Sequence, residues 1–483
     1  MQYTAIIRIV GFMLMLFSSS TVIPFFISLY YLDGGTYAFL ITGLAEFCIG
    51  FLTWFPLRKR KPILKTRDGF LIVALVWIVL SVFAAFPFCI TTLVKLSFTN
   101  AFFEAVSGLT TTGATIFTNI NALPHAVLFY RQELQFMGGM GIVVLAVAIL
   151  PMLGIGGMQL YRAETPGPMK ESKLTPRITE TAKALWFIYL ILTVACAISY
   201  WLAGMSFFDA IGESFGTTST GGFSMHEASF AFYHSYTIDI IAIFFMFLSG
   251  VSFALHFTVF QRRNITHYWH DVEFRYYFWI LIVVSSFTVM VVSIHHVYPT
   301  FSGDLIKGVF NVVSLTTTTG FTNGNFSVWP SFVPHLILLA ALVGACGGST
   351  SGGLKVMRLV LAMKQSMREM RRLIHPNGVY PIKFGNYPLS ADTIEAIWGF
   401  IAIFIGFFLV LILVLMATGL DLTTSFSAAV AALANVGAGI GAVAVSFDNI
   451  PALAKWMLAI AMIAGRLEIF TLLLLFTPAF WRK

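Results

Sequence analysis

Apolar runs long enough to cross a bilayer recur from one end of the chain to the other, and nothing in the sequence constrains the fold more. A helix rises 1.5 Å per residue, so about 20 residues cover the hydrocarbon core. Residues 6–29, 71–90, 184–202 and 394–416 are runs of this kind. In lipid every backbone N–H and C=O must be paired within the chain, so such runs read as helices. Charged residues make up 10% of the chain, against about 25% in a soluble protein. A soluble domain with one anchor is excluded, and the fold class is an all-α polytopic membrane protein. The first run shows no cleavage site and a second follows at once, so it reads as a retained helix and not a signal peptide.

The formal net charge is +8, and its distribution points to topology instead of nucleic acid. "RKRKPILKTR" (58–67) and "KVMRLVLAMKQSMREMRR" (355–372) each carry six basic residues. Arg162, Lys170, Lys173, Arg177 and Lys183 occupy another loop, Arg262, Arg263 and Arg275 a further one, and Arg482 and Lys483 the end. The intervening loops hold Asp33, Glu104, Asp209, Glu213, Asp304, Asp421 and Asp448. The positive-inside rule makes the basic set and both termini cytoplasmic. The opposite face is acidic and concentrates cations. Cys48, Cys89, Cys196 and Cys346 all lie in apolar or Gly-rich segments, which argues against a disulfide framework or a zinc site.

Four stretches repeat. "FFEAVSGLTTTGATIF" places a glycine at 113, "IGESFGTTSTGGFSM" at 222, "GVFNVVSLTTTTGFTN" at 320 and "SAAVAALANVGAGIGAV" at 437, about 100 residues apart. Glu104, Glu213 and Asn311 stand nine residues before their glycines, and Ala428 takes that place in the fourth. Apolar runs flank each stretch, and the roughly ten residues before each glycine can enter a membrane but not cross it. The unit is span, short helix, Gly-ended loop, span. All four loops then return to the acidic side, in agreement with the charge bias. The expected divisions are residues 1–67, an additional N-terminal helix pair, and four units at 68–160, 161–270, 271–388 and 389–483.

Irregular backbone at membrane depth is tolerated only inside protein or against water. Four such loops around one axis can turn carbonyl oxygens inward and replace the hydration shell of a monovalent cation. Glycine permits the positive φ that this requires. The half-span helices aim their partly negative C-termini at the same cavity. The candidate filter residues are Thr111, Thr112 and Gly113, Thr220, Gly221 and Gly222, Thr318, Thr319 and Gly320, and Asn435, Val436 and Gly437. The plainer reading, four unrelated surface turns, does not account for the shared flanks and spacing.

The four stretches, with "FMGGMGIVVLAVAILPMLGIGGMQLYRAETPGP" (136–168), "GACGGSTSGGLK" (344–355) and "AGRLEIFTLL" (464–473), resemble the Trk/Ktr/HKT superfamily of potassium transporters, in particular its bacterial TrkH-type members. The resemblance spans nearly the full chain. It implies potassium uptake across the bacterial inner membrane, a pseudo-fourfold pore, homodimeric assembly, and control by a cytosolic nucleotide-binding TrkA-type subunit. Potassium is then the substrate, with no covalently bound cofactor. Two departures stand out. The fourth loop has no threonine, and each loop has one aligned glycine where tetrameric potassium channels have two. Both imply fewer well-formed ion sites.

"GACGGSTSGG" holds five glycines in ten residues, inside the span after the third loop. The apolar segment before it is too short to cross alone, so the span reads as broken, and such breaks line binding sites or gates. Gly344, Gly347, Gly348, Ser349, Thr350, Ser351, Gly352 and Gly353 form this candidate gate loop, closed by Lys355. It is not a phosphate loop, because Lys-[Ser/Thr] does not follow its glycines and no strand precedes it. Arg466 lies about 21 Å along the last span, at a depth that costs at least about 2.5 kcal/mol. Two residues separate it from Glu468, which puts the two on different helix faces. A buried ion pair with another acid is the plainer reading; the resemblance implies an electrostatic barrier in the ion path.

"GAGIGA" (437–442) lacks the strand a dinucleotide fingerprint needs, "NIT" (264–266) lies on the cytoplasmic side, and His256, His267 and His270 flank a basic loop. Three functions compete: a potassium pore, a proton- or sodium-coupled symporter with Glu46 and Glu468 as its few intramembrane carboxylates, and a lipid-handling enzyme. The enzyme would need clustered carboxylates or a metal motif, and the sequence has neither.

Overall fold

The computed structural model describes residues 2–59, 66–148, 178–330, 332–385 and 387–482. Arg162, Lys170, Lys173 and Arg177 lie outside these, as do residues 60–65 and the latter part of the 136–168 motif. The described chain is helical apart from the loops between helices and one two-residue ladder, β1 (Lys383–Phe384) with β2 (Tyr387–Pro388).

The N-terminal pair consists of α1 (Tyr3–Phe17), which runs through one 3-10 turn into α2 (Val22–Tyr31), and α3 (Thr36–Trp54). Its two limbs meet backbone to backbone: a Cβ on Gly50 would lie 2.7 Å from the Gly11 carbonyl oxygen. Small residues permit this approach, the usual means of close helix packing in lipid.

Unit one comprises α4 (Thr66–Ile90), α5 (Phe98–Leu109) and α6 (His125–Ala148). Unit two comprises α7 (Ile178–Leu202), α8 (Phe207–Ser219), α9 (Tyr236–Ser249) and α10 (Phe253–Arg262), followed by the short α11 (Thr266–His270). Unit three has α12 (Val272–Ile294), α13 (Phe301–Thr316), α14 (Phe332–Val343) and α15 (Val356–Ile374). Unit four has α16 (Ala391–Ala417), α17 (Leu422–Leu433), α18 (Ala452–Arg466) and α19 (Glu468–Leu475), and α20 (Pro478–Trp481) ends the chain. Among the described residues six helices are long and apolar enough to cross a membrane, or eight if two bent pairs each count as one span.

The helices before the glycine loops, α5, α8, α13 and α17, have 12, 13, 16 and 12 residues. At 1.5 Å per residue they reach about 18 to 24 Å, short of a bilayer core of about 30 Å. Each starts on a side-chain cap. Ser97, Ser206, Thr300 and Asp421 accept the backbone N–H of Asn100, Asp209, Gly303 and Thr424. A cap of this kind contributes about 1 kcal/mol.

The sequence suggests one broken second span, in unit three. The structure breaks those of units two and four as well: α9 and α10 meet at 94°, α18 and α19 at 116°. Close packing accompanies both breaks. A Cβ on Gly250 would lie 2.3 Å from the Tyr277 hydroxyl, and one on Gly465 2.2 Å from the Leu433 carbonyl. Glu468 opens the new direction with φ +53°. The glycines thus permit close packing at the breaks.

A ring of four glycine-ended loops

The four loops share one backbone pattern. Thr111, Thr220, Thr318 and Asn435 have φ of 52°, 52°, 59° and 54°, and two residues on Gly113, Gly222, Gly320 and Gly437 have 81°, 81°, 86° and 75°. Non-glycine residues seldom adopt this region, and its recurrence at four equivalent threonine or asparagine positions is imposed by the surroundings.

The glycines close a ring. A Cβ on Gly113 would lie 2.3 Å from the carbonyl oxygen of Gly221, one on Gly222 2.0 Å from that of Thr319, one on Gly320 1.9 Å from that of Val436, and one on Gly437 2.2 Å from that of Thr112. Each loop therefore abuts the next, and the fourth returns to the first. No side chain fits at any of the four positions.

Side chains brace the loops from behind at one equivalent place, the backbone N–H three residues past each glycine. Glu104 Oε2 accepts Ile116 N–H at 2.8 Å, Glu213 Oε1 accepts Met225 N–H at 2.9 Å, and Asn311 Oδ1 accepts Asn323 N–H at 3.4 Å. In unit four Ala428 cannot accept, and its neighbour Ser427 Oγ takes Ile440 N–H at 2.6 Å. Residues of α6 add a second layer. Arg131 pairs with Glu104 at 2.8 Å with both side chains fully buried. Gln135 Nε2 donates to Gly221 O at 2.6 Å while its Oε1 accepts Phe223 N–H at 3.1 Å. The sequence reading missed Arg131, Gln135 and Ser427; the polar run Arg131-Gln132-Glu133 in an otherwise apolar span was the available signal.

The ring is not symmetric at its polar side chains. Asn435 Nδ2 donates to Thr112 Oγ1 and to Met462 O, both at 2.9 Å, tying the fourth loop to the first. Thr319 Oγ1 lies 2.8 Å from Thr317 Oγ1, and Thr220 Oγ1 donates to Ser219 O at 2.7 Å. Thr111 Oγ1 and Asn435 Oδ1 are buried and have no hydrogen-bond partner among the described residues. Asn435 Oδ1 lies against Gly465 of α18, so the loop carbonyls gathered at the ring are the atoms a cation could use.

The segment from Gly344 to Lys355 packs against this ring. Thr350 Oγ1 donates to Thr218 O at 3.2 Å and to Ser249 O at 3.3 Å. Gly352 N–H donates to Thr318 Oγ1 at 2.7 Å, and a Cβ there would lie 2.1 Å from Ala434 O. Ser349 Oγ and Ser351 Oγ are 2.8 Å apart. Gly344, Gly348 and Gly353 have positive φ, and Gly347 meets Glu273, described below. Lys355 Nζ bonds the Ser351 carbonyl, so it turns back on its own loop.

Arg466 ends α18 and is 6% exposed. Its Nη1 donates to Thr350 O at 2.8 Å and its Nη2 to Gly138 O at 3.0 Å. Among the described residues no carboxylate pairs with it. Glu468 instead pairs with Arg358 of α15 at 2.6 Å. The guanidinium thus joins the glycine-rich segment to α6.

An all-helical, multi-pass membrane body in which four half-span helices deliver backbone loops to one ring defines the class of membrane cation transport proteins. The model of the TrkH family, described as a cation transport protein, matches residues 35–483, and the chain belongs to that family. It is 50% identical, over the full length of both chains, to the Trk system potassium uptake protein TrkH of Escherichia coli K12. It is 39% identical to TrkG of the same organism, over 98% of this chain and 97% of that one. The crystal structure of the potassium transporter TrkH from Vibrio parahaemolyticus matches with a TM-score of 0.92 and 46% identity, covering 100% of both chains.

Proposed function

We propose that the protein is the potassium-conducting subunit of a bacterial potassium uptake system, with the four loops as its selectivity filter. The closed contact of each glycine with the next loop's carbonyl carries this reading, because it brings backbone oxygens from four units to one place. Carbonyl dipoles can replace the hydration shell of potassium, and four half-span helices add the negative ends of their dipoles. The segment Gly344–Lys355 is the gate, since it packs against the loops of units two, three and four. Arg466 is a fixed positive charge in the ion path just inside the filter. Potassium is substrate, and the chemistry needs no covalent cofactor.

The divisions at residues 67, 160, 270 and 388 belong to the same proposal, as do homodimeric assembly and a cytosolic TrkA-type nucleotide-binding partner. α15 leaves Met363, Met367 and Met370 exposed beside Arg368 and Arg372, a basic amphipathic face suited to a cytosolic protein. The basic set faces the cell interior in this reading, and Asp33, Asp209, Asp304, Asp421 and Asp448 the outside; Glu104 and Glu213, expected on that outer face, are instead fully buried behind the loops, and the contact of Arg67 Nη1 with Arg482 O at 2.6 Å brings two basic segments together.

The test is the bi-ionic reversal potential of purified protein in a planar bilayer. Gly113→Ser and Gly320→Ser each force a side chain onto a neighbouring carbonyl and should lower discrimination of potassium against sodium at least several-fold. Unchanged selectivity in both folded variants rejects the filter.

A further inference from the structure

We infer that Glu273 is the positioning residue that latches the glycine-rich loop in its obstructing position, an inference that rests on the gate reading above. Glu273 is the second residue of α12, the first span of unit three, and is 8% exposed. Asp271 already caps this helix, its Oδ1 accepting Phe274 N–H at 2.8 Å. The Glu273 carboxylate is therefore free of its own helix and reaches the loop. One oxygen, Oε1, accepts Gly347 N–H at 2.7 Å and Met357 N–H at 3.3 Å. These donors stand ten residues apart, one near the start of the loop and the other in the first turn of α15. Backbone bonds already join the ends of the loop, Leu354 N–H to Leu342 O at 2.9 Å, Lys355 N–H to Val343 O at 2.8 Å and Val356 N–H to Ala345 O at 3.1 Å. The Glu273 oxygen adds a side-chain tie that binds residue 347, beyond those bonds, to the first turn of α15.

The same corner of the fold holds the loop at two further points. Cys346 N–H donates to Gly250 O at 3.0 Å, and Phe253 N–H donates to Gly348 O at 3.0 Å. Both partners come from the break between α9 and α10. Residues 346–348 are thereby fastened to segment 250–273 and not to unit three's own half-span helix. Gly348 is exposed, whereas Thr350, two residues on, is 1% exposed and bonded to Thr218 of the ring. A short stretch links an accessible surface to the filter's inner side; Arg466 holds its inner end at Thr350 O, and Glu273 is the carboxyl group that holds its outer end at Gly347. Loss of the Glu273 carboxylate orphans the Gly347 and Met357 N–H groups together and leaves residues 346–348 held only by their two backbone bonds to Gly250 and Phe253.

The experiment uses the full chain in liposomes with Cys48→Ser, Cys89→Ser and Cys196→Ala, so that Cys346 is the reporter. Cys346 is 1% exposed in the latched loop. Glu273→Ala should raise its alkylation rate by maleimide at least tenfold and potassium flux per folded protein several-fold. Glu273→Gln, which keeps an acceptor oxygen, should sit nearer the parent, and Glu273→Asp, one methylene shorter, between the two. Asp271→Ala removes the helix cap without touching the loop and should leave labelling and flux at parent values. The latch is overturned if Glu273→Ala changes neither readout while deletion of residues 347–353 still raises flux. It is equally overturned if Asp271→Ala matches Glu273→Ala, because the effect is then loosening of α12. If the deletion itself fails to raise flux, the gate reading falls and takes the latch with it.

Discussion

At Arg466 a charge and a clamp coincide in one side chain, and substitutions can separate them. A unit charge about 6 Å from a permeating cation, at an effective dielectric near 20, opposes it by roughly 3 kcal/mol. Water in the cavity reduces this to about 1 kcal/mol, and 1.4 kcal/mol is tenfold in rate. The two bonds to Thr350 O and Gly138 O are charge-assisted, each contributing about 1.5 to 3 kcal/mol. Arg466→Ala removes both effects, so flux per reconstituted protein should rise several-fold while thermal stability falls. Arg466→Lys keeps the charge but cannot bridge two carbonyls as the planar fork does. Its flux should stay close to the parent, with part of the stability loss. Stability alone cannot separate barrier from structural arginine here, because the observed bonds make both readings lose it; flux can. A destabilised Arg466→Ala with no gain in flux refutes the barrier.

Each half-span helix repeats one construction: a capped start, a glycine-ended loop, and a side chain near its middle that accepts an N–H beyond the glycine. Unit four departs in using Ser427, not the aligned position, and this gives a sharp test. Ser427→Ala orphans the buried Ile440 N–H, at about 1 to 3 kcal/mol, and should lower both the melting temperature and potassium selectivity. Ser425 lies on the same helix, equally buried, and its Oγ has no hydrogen-bond partner among the described residues. Ser425→Ala should cost less than Ser427→Ala in the same melting assay; the reverse order rejects the brace. The half-span helices and their glycines were legible in sequence because spacing, flanking runs and positive-φ demand are local signals. The braces were not. Glu104 meets Arg131 27 residues away, and Glu468 meets Arg358 110 residues away, across separations that leave no periodic trace. Serine at 427 is unremarkable until the fold shows that Ala428 leaves a donor unmet. The breaks after Ser249 and Arg466 were hidden for a related reason: a single glycine in an apolar run looks the same whether the helix bends or merely packs closely. Arg466 was conspicuous for its depth, but its partners are carbonyls, and any residue supplies those.

For the molecule as a whole, the question is whether potassium moves alone or with a second cation. A symporter needs a group that binds and releases the coupling ion during the cycle. Four carboxylates near the ring are committed elsewhere: Glu104 to Arg131 and Ile116, Glu213 to Ser224 and Met225, Glu273 to the glycine-rich loop, and the half-buried Glu468 to Arg358. Glu133 of α6 is buried and its Oε2 lacks a hydrogen-bond partner among the described residues. Glu46 is different, fully buried with both oxygens lacking hydrogen-bond partners among the described residues, but it lies on α3 in the N-terminal pair. That pair is fastened beside unit one, where Asp33 Oδ2 accepts Ala126 N–H of α6 at 2.9 Å and Tyr31 stacks on His125 at 4.0 Å. None of the four loops belongs to it. Passive conduction is the prediction, and it has a definite electrical signature. For one monovalent ion moving alone, the reversal potential shifts about 59 mV per tenfold change in potassium, and pH has no effect on it. For one potassium with one proton, zero current falls midway between the two ions' equilibrium potentials. The shift is then about 30 mV per tenfold potassium and about 30 mV per pH unit. Currents through purified protein in a planar bilayer should show the full potassium slope, with no displacement when a pH or sodium gradient is imposed. Glu46→Gln should leave that slope intact. A half slope that moves with pH, restored to the full value by Glu46→Gln, would overturn passive conduction and make α3 part of the transport path.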